Sequence, residues 1–148
     1  PDSIRALLLT HEHEDHVRGI DRFARKHKLP VYLTAGTMLG TVLGEEVVPR
    51  TVRIESGRPF EVGPFHVEAF SIPHDAREPV GFVLQDGHGR RLGLAGDIGC
   101  RTQLAWGRLV LAGGASRQAG QARIAIAATC RNSFSVAPLA ACTARPRA

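Results

Sequence analysis

Several kinds of residue are scarce or missing in this chain of 148 residues. Aromatic side chains make up 5% of it, and it contains no apolar run of about 18 residues, the length that spans a bilayer. The first residues, Pro1-Asp2-Ser3, also lack the basic and then apolar order of a signal peptide. We therefore expect a cytoplasmic protein that has no membrane partner.

Acidic residues are missing from the last third of the chain, since the last of them is Asp97. The net charge of +5 therefore comes from residues 98–148, which contain arginine but neither lysine nor an acidic residue. The basic charge of the whole chain is thus no argument for nucleic-acid binding by residues 1–97. The three cysteines also lie in this last third, at a spacing that fits neither a zinc knuckle nor a redox pair, and we assign them no function.

The chain also lacks an initiating methionine, which suggests a fragment or a start farther upstream. Its length suits one domain with a buried core. Apolar periodicity is lost after about Arg108, and the Ala-rich, acid-free sequence that follows resembles high-GC coding sequence read out of frame, or a disordered extension. We therefore divide the chain into a domain over residues 1–108 and an irregular tail over residues 109–148.

The periodicity before Arg108 predicts an α/β fold. Apolar runs and stretches of strand-forming residues indicate the strands, and a stripe at helical spacing indicates a helix that Pro30 closes. Thr34 is a candidate cap for a second helix. The order strand, helix, strand, helix and then strands alone is typical of a mixed sheet with flanking helices. The predicted strands cover residues 4–9, 31–34, 52–55, 59–62, 65–72, 80–85 and 91–95, and the predicted helices cover residues 17–27 and 35–43.

One short motif carries most of the chemistry. Between Thr10 and Val17 the sequence reads His-Glu-His-Glu-Asp-His, so three imidazoles and one carboxylate follow directly after the first predicted strand. Imidazole and carboxylate are ligands that Zn²⁺, Mn²⁺ and Fe²⁺ accept. The carboxyl ends of strands in open α/β sheets are also where active sites collect. The motif therefore predicts a metal site.

The ligands of the motif divide between two adjacent metal positions. The first two histidines can point the same way in an extended loop, whereas the aspartate and the last histidine follow on the turn into the helix. Neither pair is complete, because Zn²⁺ takes about four ligands including water. A lone histidine and a lone aspartate, each just beyond a later predicted strand, are the candidates for further ligands. The full candidate set is His11, His13, Asp15, His16, His74 and Asp97.

Residues 4–107 resemble the metallo-β-lactamase fold superfamily. Its signature is H-x-H-x-D-H, then a lone histidine, then a lone aspartate on later strand ends, and all three parts occur here in that order. Pro-His-Asp-Ala and Pro-Val-Gly-Phe within residues 73–82, and Gly-Asp-Ile-Gly at residues 96–99, are similar to the YycJ/WalJ branch, regarded as bacterial DNA exonucleases. The resemblance implies a partial αβ/βα sandwich and a site for two divalent cations, Zn²⁺ or Mn²⁺.

The resemblance also implies a role for each candidate residue. The ligands would be His11, His13 and His74 for the first metal, Asp15 and His16 for the second, and Asp97 for both. The two cations would activate a bridging water for hydrolysis, and Asp15 would orient that water or take its proton. The acidic neighbours Glu12, Glu14 and Asp75 are candidates for orienting the ligand imidazoles.

Two features of the family are missing from this sequence. No strand pair precedes the motif, and no histidine follows His88, so the last histidine ligand of the second metal has no counterpart. Three hypotheses remain open. The chain is a metal-dependent phosphodiesterase or exonuclease with DNA as substrate, a small-molecule hydrolase of the thioesterase or lactamase type, or an inactive truncated remnant that binds at most one metal. The likeness to the exonuclease branch favours the first.

Overall fold

The computed structural model of the chain describes residues 4–97 together with the backbone of residues 123–127. These residues form eight strands, three helices and a 3-10 turn at Val48–Arg50. In chain order the strands and helices are β1 (Ile4–Leu9), α1 (Glu14–Val17), α2 (Ile20–His27), β2 (Val31–Thr34), α3 (Ala35–Gly40), β3 (Thr51–Ile54), β4 (Phe60–Val62), β5 (Phe65–Ser71), β6 (Val80–Gln85), β7 (Arg91–Leu94) and β8 (Arg123–Ala127).

The strands form two four-stranded sheets of different kinds. The first has the order β3-β2-β1-β8, and all its neighbours run parallel, with Leu7 of β1 opposite Val31 of β2. The second has the order β4-β5-β6-β7, and all its neighbours run antiparallel, with Ala69 of β5 opposite Phe82 of β6. The predicted α/β class is confirmed. Among the described strands, parallel pairing occurs in the first sheet and antiparallel pairing in the second.

Strand β1 is apolar on both faces, and this fixes where the ligand motif begins. Ala6 and Leu8 belong to the core that contains residues of both sheets, and Leu7 and Leu9 belong to the core on the opposite face. All four side chains are buried. Continuous apolar sequence is typical of parallel strands that are covered on both faces. The strand is therefore buried between two cores, and the loop that follows it starts from the interior of the fold.

The layers of the fold are helix, parallel sheet and antiparallel sheet. The core between the sheets joins Leu8 of the parallel sheet to Val67 and Phe82 of the antiparallel sheet. On its other face the parallel sheet packs against α2 through Ile20 and Ala24. This arrangement agrees with the partial αβ/βα sandwich that the sequence predicts.

The helix predicted over residues 17–27 is observed as α2, which begins later, at Ile20, and the short helix α1 forms before it within the ligand motif. Gly19 separates them with a φ of 89°, a left-handed backbone that glycine adopts without a Cβ penalty. The break lets α1 turn its buried residue, His16, toward the ligand loop while α2 lies along the sheet. Lys28 ends α2 in a left-handed conformation just before Pro30, where the prediction placed the end.

Thr34 caps α3 as predicted, since its Oγ1 accepts a hydrogen bond from the backbone nitrogen of Thr37 at 3.3 Å. The helix ends at Gly40, earlier than the predicted end at residue 43. Thr41 already has an extended backbone, with φ −108° and ψ 133°. Gly40 and Thr41 have low helix propensity, so the stop has a local signal that the predicted range did not take into account.

The strands predicted over residues 52–55 and 59–62 exist but do not pair with each other. β3 pairs with β2, and β4 pairs with β5, so the turn between them carries the chain from one sheet to the other. β6 and β7 form an antiparallel hairpin, which the Asp-Gly turn signal at residues 86–87 between the two predicted strands favours. Its loop is closed by Asp86, whose Oδ1 accepts from the backbone nitrogens of His88 and Arg90, both at 2.9 Å.

Periodicity predicts no element over residues 109–148, yet the backbone of β8 lies within that range and pairs with β1. The segment reads Arg-Ile-Ala-Ile-Ala, and so short an alternation does not stand out in an Ala-rich context. The rest of the tail, the cysteines and the boundary at residue 108 lie outside the described residues. In the part of the chain that the structure describes, no helix is long and apolar enough to cross a membrane.

Candidate metal centre

The ligand motif forms the loop between β1 and α1 and continues into α1. The carbonyl oxygen of Thr10 accepts a hydrogen bond from the backbone nitrogen of Val80 at 2.9 Å, which ties the start of the loop to the antiparallel sheet. At the other end, the backbone nitrogens of His16 and Val17 both donate to the carbonyl oxygen of His13, at 2.9 and 3.0 Å. The loop is therefore held at both ends by backbone hydrogen bonds.

A first group of possible ligands consists of His11, His13 and His74. One ring nitrogen of each lies within 4.8 Å of the others. The three ring centroids are 4.6 to 4.7 Å apart, and the rings meet edge to face. His74 reaches this place from the loop after β5, so the antiparallel sheet supplies the third imidazole.

The outer nitrogens of two of these rings bind Asp75. Nε2 of His13 donates to the carbonyl oxygen of Asp75 at 3.2 Å, and Nδ1 of His74 lies 2.9 Å from the Asp75 carboxylate. Because the outer nitrogens carry the hydrogens, the inner nitrogens of the neutral rings keep their lone pairs. This is the orientation that a metal ligand needs.

A second group consists of His11, His16 and Asp97, again with ligand atoms within 4.8 Å of one another. Oδ2 of Asp97 lies 2.5 Å from Nε2 of His16 and 3.8 Å from Nε2 of His11. Asp97 follows β7 with a φ of 48°, a left-handed backbone that aspartate tolerates better than most residues. Asp15 stands at the rim, with its carboxylate 3.7 Å from Nε2 of His16 and its side chain 65% exposed.

His11 is the residue that belongs to both groups, and its surroundings keep it neutral. Burial, followed by the neighbouring imidazoles of His16, His74 and His13, lowers the pKa of His11 from 6.5 to about 4, while Asp97 acts in the opposite direction. At neutral pH its ring therefore has a free lone pair. Its Nε2 atom is buried and has no hydrogen-bond partner among the described residues. A buried nitrogen without a partner is costly unless a cation satisfies it, so the donor set fits a divalent metal.

A clamp of hydrogen bonds behind the ligands joins the motif to the loop that carries His74. Oε1 of Glu12 accepts from the backbone nitrogen of Arg77 at 2.7 Å. Oε2 of Glu78 accepts from the nitrogen of Gly36 at 2.7 Å, and the Glu78 carbonyl accepts from the hydroxyl of Thr34 at 2.9 Å. The loop over residues 72–79 is thus fastened both to the motif and to the start of α3.

The structure brings all six residues singled out from the sequence to one edge of the molecule. Five fall into the two groups, and Asp15 lies beside the second. Their assignment as ligands remains a prediction. The other described histidines, His27, His66 and His88, belong to neither group. His27 contacts Phe23 on α2, and His66 pairs with Glu61 in the antiparallel sheet.

Comparison with known proteins places the chain in a family. Among curated relatives, Exodeoxyribonuclease YycJ of Bacillus anthracis is 32% identical over 100 residues, or 66% of this chain and 38% of that protein. The probable metallo-hydrolase YqgX of Bacillus subtilis is 33% identical over 105 residues, or 63% of this chain and 48% of that protein. The chain thus spans less than half the length of these relatives.

The solved structures agree on the fold. A metallo-β-lactamase of Cronobacter sakazakii with a HARLDQ motif superposes with a TM-score of 0.54 at 16% identity, covering 68% of this chain and 42% of that one. A family model described as the β-lactamase superfamily domain matches residues 1–113. The chain therefore belongs to the β-lactamase superfamily, and its resemblance to the YycJ/WalJ branch is confirmed.

Proposed function

We propose that the chain is a metal-dependent hydrolase that binds two divalent cations, Zn²⁺ or Mn²⁺, and cleaves phosphodiester bonds in DNA. The observation that carries this proposal is that two groups of possible ligands meet at His11, whose Nε2 is buried without a hydrogen-bond partner among the described residues. Imidazole-rich sites suit zinc, and added carboxylates extend the choice to manganese.

The likeness to the relatives supports the choice of substrate. Proteins similar to this chain are named exodeoxyribonucleases in Bacillus anthracis and Streptococcus pneumoniae. A sequence similar at 32% identity is named Ribonuclease J in Sinorhizobium meliloti. Hydrolysis of a nucleic-acid phosphodiester is common to these names. Because the chain spans only part of each relative, activity and substrate belong to the proposal.

The chain's own residues take distinct roles in this proposal. Two cations held in such a site would polarise the attacked phosphoryl group and lower the pKa of a bound water. His11, His13 and His74 would hold the first cation, and Asp97 would lie between the two positions. Imidazole ligands carry no negative charge, so they would not add to the repulsion of an anionic substrate.

Asp15 is the candidate general base. Its carboxylate is mostly exposed and stands beside His16, so it can reach solvent on the open side of the site. We assign it to orienting the attacking water and accepting its proton. His16 would complete the second metal position together with Asp15 and Asp97.

DNA hydrolysis by the purified chain tests the function. We expect a labelled single-stranded oligonucleotide to be shortened in the presence of Mn²⁺ or Zn²⁺, and the Asp97→Ala variant to lose this activity. His66→Ala is the matched control, because that histidine pairs with Glu61 away from the site. Hydrolysis of nitrocefin or an acyl-thioester with none of DNA would overturn the substrate assignment in favour of a small-molecule hydrolase. Binding of one metal or fewer, without hydrolysis of either class, would indicate an inactive remnant.

A further inference from the structure

We propose that the hydroxyl of Thr10 is a positioning group that presents Nε2 of both His11 and His16 to the candidate metal centre. Oγ1 of Thr10 lies 3.1 Å from Nδ1 of His11 and 3.4 Å from Nδ1 of His16. Thr10 and His11 are fully buried, and His16 is 3% exposed. Oγ1 of Thr10 therefore contacts His11, which belongs to both ligand groups, and His16, which belongs to the second group.

The hydrogen inventory of these groups explains why one oxygen can serve two rings. A threonine hydroxyl has two acceptor lone pairs and one hydrogen to donate. A neutral imidazole that binds a cation through Nε2 carries its hydrogen on Nδ1. Thr10 can accept from two such Nδ1–H groups at once. It satisfies both rings in the tautomer that leaves both Nε2 lone pairs available.

Asp97 makes the tautomer of His16 depend on the cation. Without a cation, the 2.5 Å hydrogen bond to Asp97 places a hydrogen on Nε2 of His16, and the Thr10 hydroxyl donates to Nδ1. Ligation of a cation through Nε2 would require that hydrogen to leave for solvent and Nδ1 to gain one from solvent, so the proton count of the ring would be unchanged. Thr10 would then change from donor to acceptor at His16.

The backbone holds Thr10 where this exchange can occur. The residue follows directly after β1, and its carbonyl oxygen accepts from the nitrogen of Val80 at 2.9 Å. The backbone of Thr10 is therefore held at the junction of the two sheets, independently of the imidazoles that its side chain contacts. A positioning group must be held in this way if it is to orient its neighbours.

Zinc affinity of hydroxyl variants tests this role, which rests on the proposed metal binding. Thr10→Val removes the hydroxyl at nearly constant volume, and we expect zinc affinity, measured by competition with a chelator, to fall about 10- to 100-fold. Thr10→Ser should stay near the wild-type value. So should Thr41→Val, which loses a hydroxyl bonded to the carbonyl oxygen of Thr37 outside the site. Equal affinity in Thr10→Val and wild type, or an equal loss in Thr41→Val, would overturn the role of Thr10.

Nitrogen-15 NMR of the wild-type imidazoles gives a second test that needs no variant to fold. We expect the zinc-loaded protein to show hydrogens on Nδ1 of His11 and His16, and the metal-free protein to show the hydrogen of His16 on Nε2. Ligation of zinc by Nδ1 of either ring would contradict the proposal. Failure of the wild type to bind zinc would overturn the proposed function and this inference together, whereas a failure confined to the Thr10 comparisons would overturn the inference alone.

Discussion

Nδ1 of His13 and Nε2 of His74 lie 3.1 Å apart, and both rings use their other nitrogen to bind Asp75. Each outer nitrogen donates its hydrogen, so the two facing nitrogens of the neutral rings present lone pairs to each other. Such an approach is unfavourable unless a proton or a cation lies between the nitrogens. This pair is the part of the site whose geometry most directly calls for a positive charge.

Replacing Asp75 with alanine should weaken metal binding. The variant loses the carboxylate that orients His74 but keeps the backbone carbonyl that binds His13. We expect a loss of about tenfold in zinc affinity, the lower end of the usual range for such partners, because the side chain is 85% exposed. Asp21→Ala is the control, since that carboxylate accepts a backbone hydrogen bond from Gly44 elsewhere. Unchanged affinity in Asp75→Ala would show that the carboxylate does not orient the ring.

Variants of histidines from the two metal positions should lose different cations. The proposed roles give His74 to the first cation and His16 to the second. We therefore expect His74→Ala to keep the second metal position and His16→Ala to keep the first. Titration with Co²⁺, whose visible spectrum reports its ligands, distinguishes the two cases. Identical spectra for the two variants would mean that the two groups do not hold separate cations.

The neutral state of His11 predicts how stability depends on pH. Its pKa falls from 6.5 in the unfolded chain to about 4 in the folded protein, chiefly through burial. Between these values the unfolded chain binds a proton that the folded protein does not. The free energy of unfolding contributed by this group is therefore complete above 6.5 and is lost as the pH falls toward 4.

Denaturant unfolding at pH 7.5 and pH 5, with a chelator present to remove metal, measures this dependence. In His11→Gln the free energy of unfolding should change less between the two pH values. In His66→Gln, at an exposed position, it should change as much as in the wild type. A dependence that is the same in His11→Gln and in the wild type would assign it to other groups.

The contact between Glu12 and Arg77 predicts that a substitution outside the ligand set can make the loop that carries His74 less stable. Glu12→Ala removes a hydrogen bond that the backbone nitrogen of Arg77 donates to a charged carboxylate, and such a bond contributes about 1.5–3 kcal/mol when well formed. Gly40→Ala should act in the same direction, because a Cβ there would overlap the side chain of Glu12.

Hydrogen exchange at the amide of Arg77 is the direct measurement of this loosening, and both variants should raise its rate and weaken zinc binding. Gly87→Ala provides the control, since a Cβ at Gly87 would meet no atom within 4 Å. Wild-type exchange at Arg77 in Glu12→Ala would show that the carboxylate does not hold the loop.

The strands with strong apolar patterns could be predicted closely from the sequence. The bounds of β1, β2 and β6 agree with the prediction, because each is a short apolar run between turn residues. The division into two sheets could not be predicted, since β3 and β4 follow each other along the chain and local pattern does not say that they part. The break at Gly19 was also missed, although glycine is a local signal for it, and the strand β8 was missed because its pairing with β1 joins segments far apart in the sequence.

The candidate ligands were predictable because their chemistry is concentrated in one motif and two later strand ends. The groups that orient them were not. Thr10 is an ordinary residue at the end of a strand, and its role is visible only when His11 and His16 both turn toward it. The bond from Glu12 to Arg77 joins residues far apart in sequence, and no local signal marks it.

The zinc content of the wild-type chain tests the central claim most directly. The protein should be stripped with a chelator, titrated with Zn²⁺ in a calorimeter, and assayed for bound metal after dialysis. Two equivalents of zinc per chain, with at least one lost in Asp97→Ala, is the result that the two ligand groups predict. A wild-type chain that holds no zinc, or binds it with the same stoichiometry as a variant lacking both His11 and Asp97, would contradict the account.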